Sequence, residues 1–321
     1  MPIPFNTGYL PVQNGHEIYY AEYGNPKGQA ILSLHGGPGS RSKSKHASLY
    51  NLDRYRVITF DQRGCGASLP KGETRFNTLV DLMGDIQRLQ KILKVANWFV
   101  AGGSWGSTLA LAYAQKYPKC IKGILLSSIF LARQRDLAWV FKGSEGAACI
   151  FPDLWEKHLQ FLQKYQASPS NAAQVLLNEL HNCSVDVAQD IAAGIQNWEG
   201  NLLSPGSVVQ EMQPDHMSEE DIQSVKIFLH YEAHDFFLEP NELVSGLPVI
   251  EHIPMLIVHG RYDIVCPLEQ AWEVQKYIQD VELIIVPSSG HKLTAEGEVA
   301  KRLAFQNFLG IHTAFRKDSN A

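Results

Sequence analysis

The sequence has 321 residues and contains little cysteine, no excess of basic side chains and no long apolar segment. Its five cysteines are an odd number without a Cys-x-x-Cys pair, which argues against a disulfide scaffold and indicates a reducing compartment. Because 33 acidic side chains outnumber 28 basic ones, no nucleic-acid-binding surface is expected. No window reaches the roughly 18 consecutive apolar residues of a transmembrane helix.

A secretory signal, internal repeats and low-complexity tracts are also missing. The first ten residues, MPIPFNTGYL, contain neither the basic segment nor the apolar core of a signal peptide. Hydrophobic residues make up 45% and charged residues 19%, which excludes disordered, collagen-like and coiled-coil chains. We therefore expect a soluble, cytoplasmic protein that binds neither membranes nor nucleic acids. The sequence leaves the oligomeric state open.

Short apolar runs without polar alternation predict buried strands of a mostly parallel sheet. Helical periodicity follows two of them, at residues 79–93 and 107–117, and residues 18–23 predict a half-exposed antiparallel strand. Alternation of strands and helices is typical of an open α/β sheet with helices on both faces. The predicted buried strands are residues 30–34, 56–60, 98–101, 123–126, 255–259 and 281–286.

The alternation of strands and helices stops near residue 130 and resumes near residue 253. Mainly helical sequence lies between, for example at residues 153–165 and 185–198. The simplest organisation is one α/β domain interrupted by a helical insertion of plausible size for a small domain. The predicted parts are a first core segment at 1–130, a helical cap at 131–250 and a second core segment at 251–321.

Residues 102–106, GGSWG, fit the pattern Gly-x-Ser-x-Gly between a predicted strand and a predicted helix. A tight strand-to-helix turn holds a serine exposed in a strained conformation, and small neighbours allow close backbone approach. This setting predicts Ser104 as a nucleophile. The alternative is a glycine-rich turn with an incidental serine.

Residues 35–39, HGGPG, directly follow the first predicted buried strand. A glycine-rich loop in this position can direct backbone N–H groups at an oxyanion. The candidates are the N–H groups of Gly37 and Trp105. The alternative is a simple turn, and His35 is expected to hold the loop by hydrogen bonds rather than to act as a base.

A serine nucleophile requires a histidine base and an acid that orients it. In α/β-hydrolases these residues follow the chain order serine, acid, histidine. Asp263 comes after the predicted strand at 255–259, and His291 comes after the one at 281–286, so both are expected at carboxyl ends of strands. The predicted triad is Ser104, Asp263 and His291.

Asp61 is the rival acid because it also ends a predicted strand. Its segment, DQRGCG at 61–66, is interpreted as a tight turn with an internal Asp–Arg pair, and the chain order favours Asp263. Histidines elsewhere are less well placed for a base, and His259, within a strand, is expected to be packed. The other histidines considered are His46, His158 and His181.

Two further patterns do not support a cofactor or a metal. The pair Gly64-x-Gly66 is too short for a dinucleotide-binding fingerprint. His230 and His234 have the i, i+4 spacing of a zinc helix, but Glu232 between them points to the opposite side of the helix. We therefore expect neither a metal nor a cofactor.

Five segments together resemble the proline iminopeptidases, which are α/β-hydrolase serine exopeptidases. The resemblance implies the α/β-hydrolase fold, with a mostly parallel central sheet, helices on both faces and an inserted helical cap. It also implies release of proline from small peptides with a free N-terminal proline. The segments are HGGPG at 35–39, DQRGCG at 61–66, GGSWGSTLALAYAQ at 102–115, GRYDIVCP at 260–267 and GH at 290–291.

The insertion carries two further similarities, WEG at 198–200 and YEAHDF at 231–236. The resemblance assigns binding of the substrate amine to Glu199 and Glu232, whereas the residues alone favour two solvent-exposed glutamates. An apolar pocket for the pyrrolidine ring is also expected, with ordinary packing as the alternative. Its predicted members are Trp139, Phe141, Phe151, Phe236 and Cys266.

The chain departs from the family pattern at several positions, which leaves the substrate preference open. Ala67 stands where the family usually has arginine, and Ser127-Ser128 stands where it usually has an Arg-Gly pair. Ala233 and Asp235 stand in place of asparagine and tyrosine. Two other functions therefore stay in consideration. One is a serine esterase or amidase of broader specificity, and the other is a non-catalytic ligand-binding protein on the same fold.

Overall fold

The computed structural model describes residues 1–143, 145–204 and 209–314. Within these residues the chain forms one eight-stranded sheet with the strand order β1-β2-β4-β3-β5-β6-β7-β8. Strands β3 to β8 are parallel to one another, and β2 pairs antiparallel with both β1 and β4. The strands are β1 Asn6–Pro11, β2 Glu17–Gly24, β3 Gln29–Leu34, β4 Tyr55–Phe60, β5 Trp98–Ser104, β6 Ile121–Ile129, β7 Met255–Gly260 and β8 Val281–Val286.

The prediction of an open, mostly parallel α/β sheet is confirmed, and each predicted strand lies within an observed one. The first strand, β1, was not predicted. It lies at the edge of the sheet, and of its residues Leu10 alone is buried, so it lacks the apolar run that reveals an inner strand.

Helices cover both faces of the sheet. Thr78 begins α2 with a capping box, because its hydroxyl accepts from the Asp81 N–H while the Asp81 carboxylate accepts from the Thr78 N–H. None of the helices in the described part of the chain has the length and apolar content needed to cross a bilayer. The helices are α1 Ser44–Ala47, α2 Leu79–Ile92, α3 Trp105–Lys116, α4 Gln134–Phe141, α5 Ala147–Ile150, α6 Pro152–Lys164, α7 Ala172–Leu180, α8 Val185–Leu202, α9 Glu219–Glu232, α10 Glu242–Gly246, α11 Glu269–Gln275 and α12 Ala295–Ala314.

The core is divided by the sheet into two apolar layers. Successive residues of β3, Ile31 and Leu32, are both buried but lie in different layers, because side chains alternate along a strand. Helices α2, α3 and α11 contribute to the layer of Leu32. Helix α12 contributes Phe305 and Phe308 to the layer of Ile31. The central strands are therefore covered on both faces, and their carboxyl ends are the accessible part.

Helices α4 to α10 all lie between β6 and β7. Part of this segment has a separate apolar cluster, which α7, α8 and α9 share through Leu176, Ile191 and Leu229. Tyr231 and Phe236 instead join the core layer that covers the sheet. Leu137, Ile227 and Leu243 of the same segment also belong to this layer. We propose that residues 131–250 form a cap domain that is attached to the core through these aromatic and aliphatic contacts.

Candidate active site

Ser104 lies at a sharp turn between β5 and α3. Its backbone has φ 55° and ψ −132°, a conformation that L residues rarely adopt. The neighbouring glycines make this turn possible, since a Cβ on Gly102 would lie 2.1 Å from the carbonyl oxygen of Gly106. A Cβ on Gly106 would lie 2.7 Å from the carbonyl oxygen of Leu34. The spacing of the motif therefore follows from close packing of backbone around one exposed hydroxyl.

His291 and Asp263 are joined by a hydrogen bond at the carboxyl ends of β8 and β7. His291 Nδ1 lies 3.0 Å from each carboxylate oxygen of Asp263, which is 4% exposed. Oδ1 of Asp263 also accepts from the Cys266 N–H at 2.7 Å. With Nδ1 donating to the carboxylate, Nε2 of the neutral ring carries the lone pair that a base requires.

Ser104 and His291 line the same cavity, which has a volume of about 590 Å³. Asp263 lies behind His291 and is buried. The cavity is bounded by the carboxyl ends of the strands on one side and by cap helices on the other. This is where open α/β sheets form their binding sites.

His259 supports the acid, a role that the sequence did not reveal. Its Nδ1 accepts from the Ile129 N–H at 3.3 Å, so Nε2 carries the proton and donates to the Cys266 carbonyl at 2.8 Å. The same Nε2 is 3.5 Å from Asp263 Oδ2. Burial lowers the pKa of His259, which keeps the ring neutral. His259 thus fixes the loop of the acid and places an N–H dipole beside it.

The hydrogen bonds of the Asp61 carboxylate indicate that it stabilises a loop. Oδ1 accepts from the Ser42 N–H at 2.7 Å, and Oδ2 accepts from the Ala67 N–H at 2.8 Å. The predicted Asp–Arg pair within its segment is wrong. Arg63 forms a bidentate pair with Asp85 of α2, at 2.7 and 2.8 Å, because two backbone N–H groups already use the Asp61 carboxylate.

The two proposed oxyanion donors lie on either side of the nucleophile. Gly36 and Gly37 line the cavity, and a Cβ on Gly36 would be 3.4 Å from Ser104 Cβ. Trp105 is the first residue of α3, so its N–H has no acceptor within the helix. The positive end of the helix dipole points to the same place.

Side chains join the loops that carry these donors. The Trp105 indole N–H donates to Gln62 Oε1 at 2.8 Å, and Gln62 Nε2 donates to the His35 carbonyl at 2.9 Å. His35 Nε2 accepts from the Gln62 N–H at 3.0 Å, and burial lowers the pKa of His35. His35 is therefore a neutral ring that holds the loop, as the sequence predicted.

Glu199 lies at the cap side of the cavity, and Glu232, at the end of α9, is its neighbour but is not one of the described lining residues. Glu199 on α8 lines the cavity, and its enclosed Oε1 has no hydrogen-bond partner among the described residues. Burial, and then the charge of Glu232, raise the pKa of Glu199 well above its usual range. Burial raises the pKa of Glu232 to about 7, against the opposing charge of Lys142. Two neighbouring carboxylates whose burial opposes their ionisation form a place where a cation is stabilised.

The apolar wall of the cavity contains most of the predicted pocket residues. Phe141, Phe151, Phe236 and Cys266 line the cavity. Trp139 is not among the lining residues, because its indole N–H donates to the Ile264 carbonyl at 2.7 Å behind the wall. The sequence missed further apolar members, since packing of the cap on the core brings them together. Phe130, Val140 and Phe228 are among them.

The two histidines of the zinc-like pattern do not converge on a ligand. His230 Nε2 lies 2.8 Å from the Asn77 carbonyl, and His234 Nδ1 lies 2.7 Å from the His230 carbonyl. Within the described residues, Asp263, Cys266 and His291 have ligand atoms within 4.8 Å of one another. Burial and then the charge of Asp263 raise the pKa of Cys266, so its thiol stays protonated and is a poor metal ligand.

Comparison with known proteins identifies the class to which this site belongs. Residues 29–298 match the model of the alpha/beta hydrolase fold family. The fold is similar to that of an alpha/beta hydrolase enzyme from a Medee basin deep-sea metagenome library, with a TM-score of 0.63 and 20% identity over 94% of this chain and 97% of that one. The chain belongs to the alpha/beta hydrolase fold family.

More similar relatives show to which family within this class the chain belongs. The chain is 37% identical over 298 residues to a probable proline iminopeptidase of Leptolyngbya boryana, covering 92% of this chain and 91% of that one. It is 35% identical over 298 residues to the proline iminopeptidase of Arabidopsis thaliana, covering 92% and 77% of the two chains. The protein is a member of the proline iminopeptidase family, which confirms the resemblance read from its motifs.

Proposed function

We propose that the protein is a serine exopeptidase that releases proline from the N-terminus of small peptides. The observation that carries this proposal is the enclosed, unpartnered carboxylate oxygen of Glu199 in the wall of the cavity that also contains Ser104 and His291. A triad alone hydrolyses many esters and amides. Glu199 in the wall of this cavity, together with its neighbour Glu232, selects substrates with a free amine.

The proposed reaction proceeds through an acyl-enzyme. Ser104 Oγ attacks the carbonyl carbon of the N-terminal proline while His291 Nε2 accepts the hydroxyl proton, and Asp263 stabilises the imidazolium that forms. The N–H groups of Gly37 and Trp105 bind the oxyanion. His291 then returns the proton to the leaving amine, and the C–N bond breaks. Water activated by the same histidine releases proline and restores the serine.

Recognition of the amine follows from electrostatics. An N-terminal amine has a pKa near 8, so it is largely cationic at neutral pH. When it lies beside Glu199 and Glu232, its charge favours their ionised forms and offsets the burial that raises the pKa of each carboxyl. Because the paired glutamates fix the position of the amine, the carbonyl presented to Ser104 is that of the first residue.

The ring of the first residue is proposed to lie against the apolar wall. Phe141, Phe151 and Phe236 supply the aromatic surface, and the protonated Cys266 thiol is a small apolar neighbour. The five-membered ring of proline is compact and exposes apolar carbons, which such a wall binds without a polar partner.

Initial rates on aminoacyl-naphthylamides test the function directly. We expect the free Pro-naphthylamide to be the preferred substrate, and its N-acylated form to be hydrolysed at least about tenfold more slowly, because acylation removes the positive charge. Equal rates on the two forms would favour a broad amidase or esterase. Failure of a fluorophosphonate to label Ser104 would favour a non-catalytic binding protein.

Glutamine substitutions test the amine site. We expect Glu199→Gln and Glu232→Gln each to lower kcat/KM for Pro-naphthylamide at least about tenfold, and to affect hydrolysis of uncharged p-nitrophenyl acetate far less. Glu156→Gln, on an exposed position of α6, is the matched control and should behave as wild type on both substrates. Equal losses on both substrates would indicate damage to the fold or to the triad, and no loss would remove the glutamates from the site.

The raised pKa of Glu232 predicts a pH dependence. Since the ionised carboxylate binds the ammonium and the pKa of Glu232 is about 7, amine binding weakens as the pH falls through 7. We therefore expect the ratio of kcat/KM for Pro-naphthylamide to that for p-nitrophenyl acetate to fall below pH 7, by up to about tenfold per pH unit. Any effect of pH on the triad is common to both substrates and cancels in this ratio. A ratio independent of pH, or an unchanged acid limb in Glu232→Gln, would contradict the assignment.

A further inference from the structure

The side chains that line the active-site cavity include few that carry charge. In the described part of the wall they are Glu199, His291 and Lys292. Glu199 belongs to the proposed amine site, and His291 is the proposed base. Lys292 is a cation on the wall to which the proposed function gives no role.

The backbone of Lys292 is fixed, whereas its ammonium group has no partner in the described part of the chain. Its N–H donates to the carbonyl of Leu203, the residue that follows α8, at 2.9 Å. The side chain is exposed, and it forms no ion pair or hydrogen bond with another described residue. A cation on a flexible stem is thus held at the edge of the cavity and is available to a ligand.

Lys292 lies close to the place where the leaving group of a substrate departs. Under the proposed function, His291 delivers a proton to the leaving amine, so the departing amino acid or peptide passes this histidine. Lys292 is the next residue, and its α-carbon lies about 3.8 Å from that of His291. The departing molecule carries a carboxylate at its other end, which is the group that a lysine ammonium binds.

We propose that Lys292 binds the C-terminal carboxylate of the leaving group, so that free dipeptides and tripeptides are the preferred substrates. This inference rests on the proposed function. Glu199 and Glu232 then bind the positive end of a short peptide, and Lys292 binds its negative end. The cavity complements a zwitterion of limited length, because both ends must be paired while the first carbonyl faces Ser104.

Chain length limits this contact. In a dipeptide the leaving group is one amino acid, whose carboxylate lies next to the atom that His291 protonates. Each additional residue moves the carboxylate by up to about 3.3–3.6 Å. The four-carbon stem of lysine can reach the carboxylate when the leaving group is one residue longer. The carboxylate of a pentapeptide lies roughly three residues further from the cleaved bond than that of a dipeptide, which is out of reach. The advantage of a free carboxylate should therefore fade with length.

A matched peptide series tests the proposal. Pro-Ala, Pro-Ala-Ala and Pro-Ala-Ala-Ala-Ala are each supplied as the free acid and as the C-terminal amide, and release of proline is measured. For the wild type we expect kcat/KM to be about fivefold higher for the acid than for the amide in the two short peptides, through KM. We expect a ratio near one for the pentapeptide. Added salt should reduce the difference, because it screens exposed charges.

Three variants complete the design. Lys292→Gln should bring the acid-to-amide ratio close to one at every length, and Lys292→Arg should retain the wild-type ratios. Lys27→Gln removes an equal charge from the exposed turn between β2 and β3 and should also keep the wild-type ratios. Because each ratio is measured within one enzyme preparation, a general loss of activity cancels.

The outcomes separate this inference from the function on which it rests. A wild-type ratio of one, a ratio that does not depend on length, or wild-type ratios in Lys292→Gln would overturn the carboxylate site while proline release continues. If Pro-naphthylamide and all six peptides resist cleavage, the proposed function fails first, and the carboxylate site fails with it.

Discussion

Replacement of Ser104 by alanine is expected to lower kcat for Pro-naphthylamide by a factor of about 10⁴–10⁶ while the protein stays folded. The substitution removes one hydroxyl, and alanine meets the same backbone requirement at φ 55° that serine meets. Substrate binding should persist, because the proposed amine site and the aromatic wall are unchanged. Steady-state rates and a thermal unfolding curve check the two parts of this expectation.

Ser40 provides the matched control for this substitution. It lines the same cavity but lies in the loop after β3 rather than at the turn between β5 and α3. We expect Ser40→Ala to stay within about threefold of the wild-type rate, since it removes a hydroxyl without a proton-transfer partner. Near-normal turnover by a folded Ser104→Ala would reject the nucleophile, whatever the control shows.

The second large effect is expected from Asp263→Asn, which should reduce kcat by about 10⁴. The amide is nearly isosteric, but it can present N–H₂ to His291 Nδ1, where the carboxylate accepts at 3.0 Å. That contact favours the tautomer with the proton on Nε2, which cannot accept the hydroxyl proton of Ser104. The charge that stabilises the imidazolium is lost as well. The change should appear in kcat much more than in KM.

Asp61→Asn distinguishes the two candidate acids. Because the Asp61 carboxylate accepts from the N–H groups of Ser42 and Ala67, an amide N–H₂ would face one of these donors. We expect a loss of about 1–3 kcal/mol in the free energy of unfolding, with much of the activity of the folded fraction retained. If this variant is stable and inactive while Asp263→Asn is active, the carboxylate assignment is reversed.

Much of the sheet could be predicted from the sequence because its signal is local. Inner parallel strands are covered on both faces, so they appear as uninterrupted apolar runs such as Ile31-Leu32 in β3. The turn at Ser104 is also a local signal, since its glycines are dictated by backbone contacts within a few residues and with one neighbouring strand. Chain order is a further signal of this kind, and it predicts Asp263 and His291 as the acid and the base.

The environment of the site could not be predicted in the same way. The exposure of Glu199 depends on how α8 packs over the cavity, and an isolated glutamate on a helix is normally solvated. The pairing of Arg63 with Asp85 joins two segments that are 22 residues apart, so proximity along the chain wrongly favoured Asp61. Trp139 was predicted to line the apolar wall because it is aromatic. Its indole N–H needs an acceptor, however, and donates to the carbonyl of Ile264 instead.

The acidic pair in the cap also has a consequence for turnover. Proline released by hydrolysis keeps the ammonium group through which the substrate was recognised, so it leaves against the same attraction to Glu199 and Glu232. Under the proposed function we therefore expect free proline to be a competitive product inhibitor, and N-acylated proline to bind weakly. The departing peptide leaves first, because proline is still attached covalently to Ser104 in the proposed acyl-enzyme. Selectivity for the amino end and slow escape of the cleaved residue thus have one physical origin.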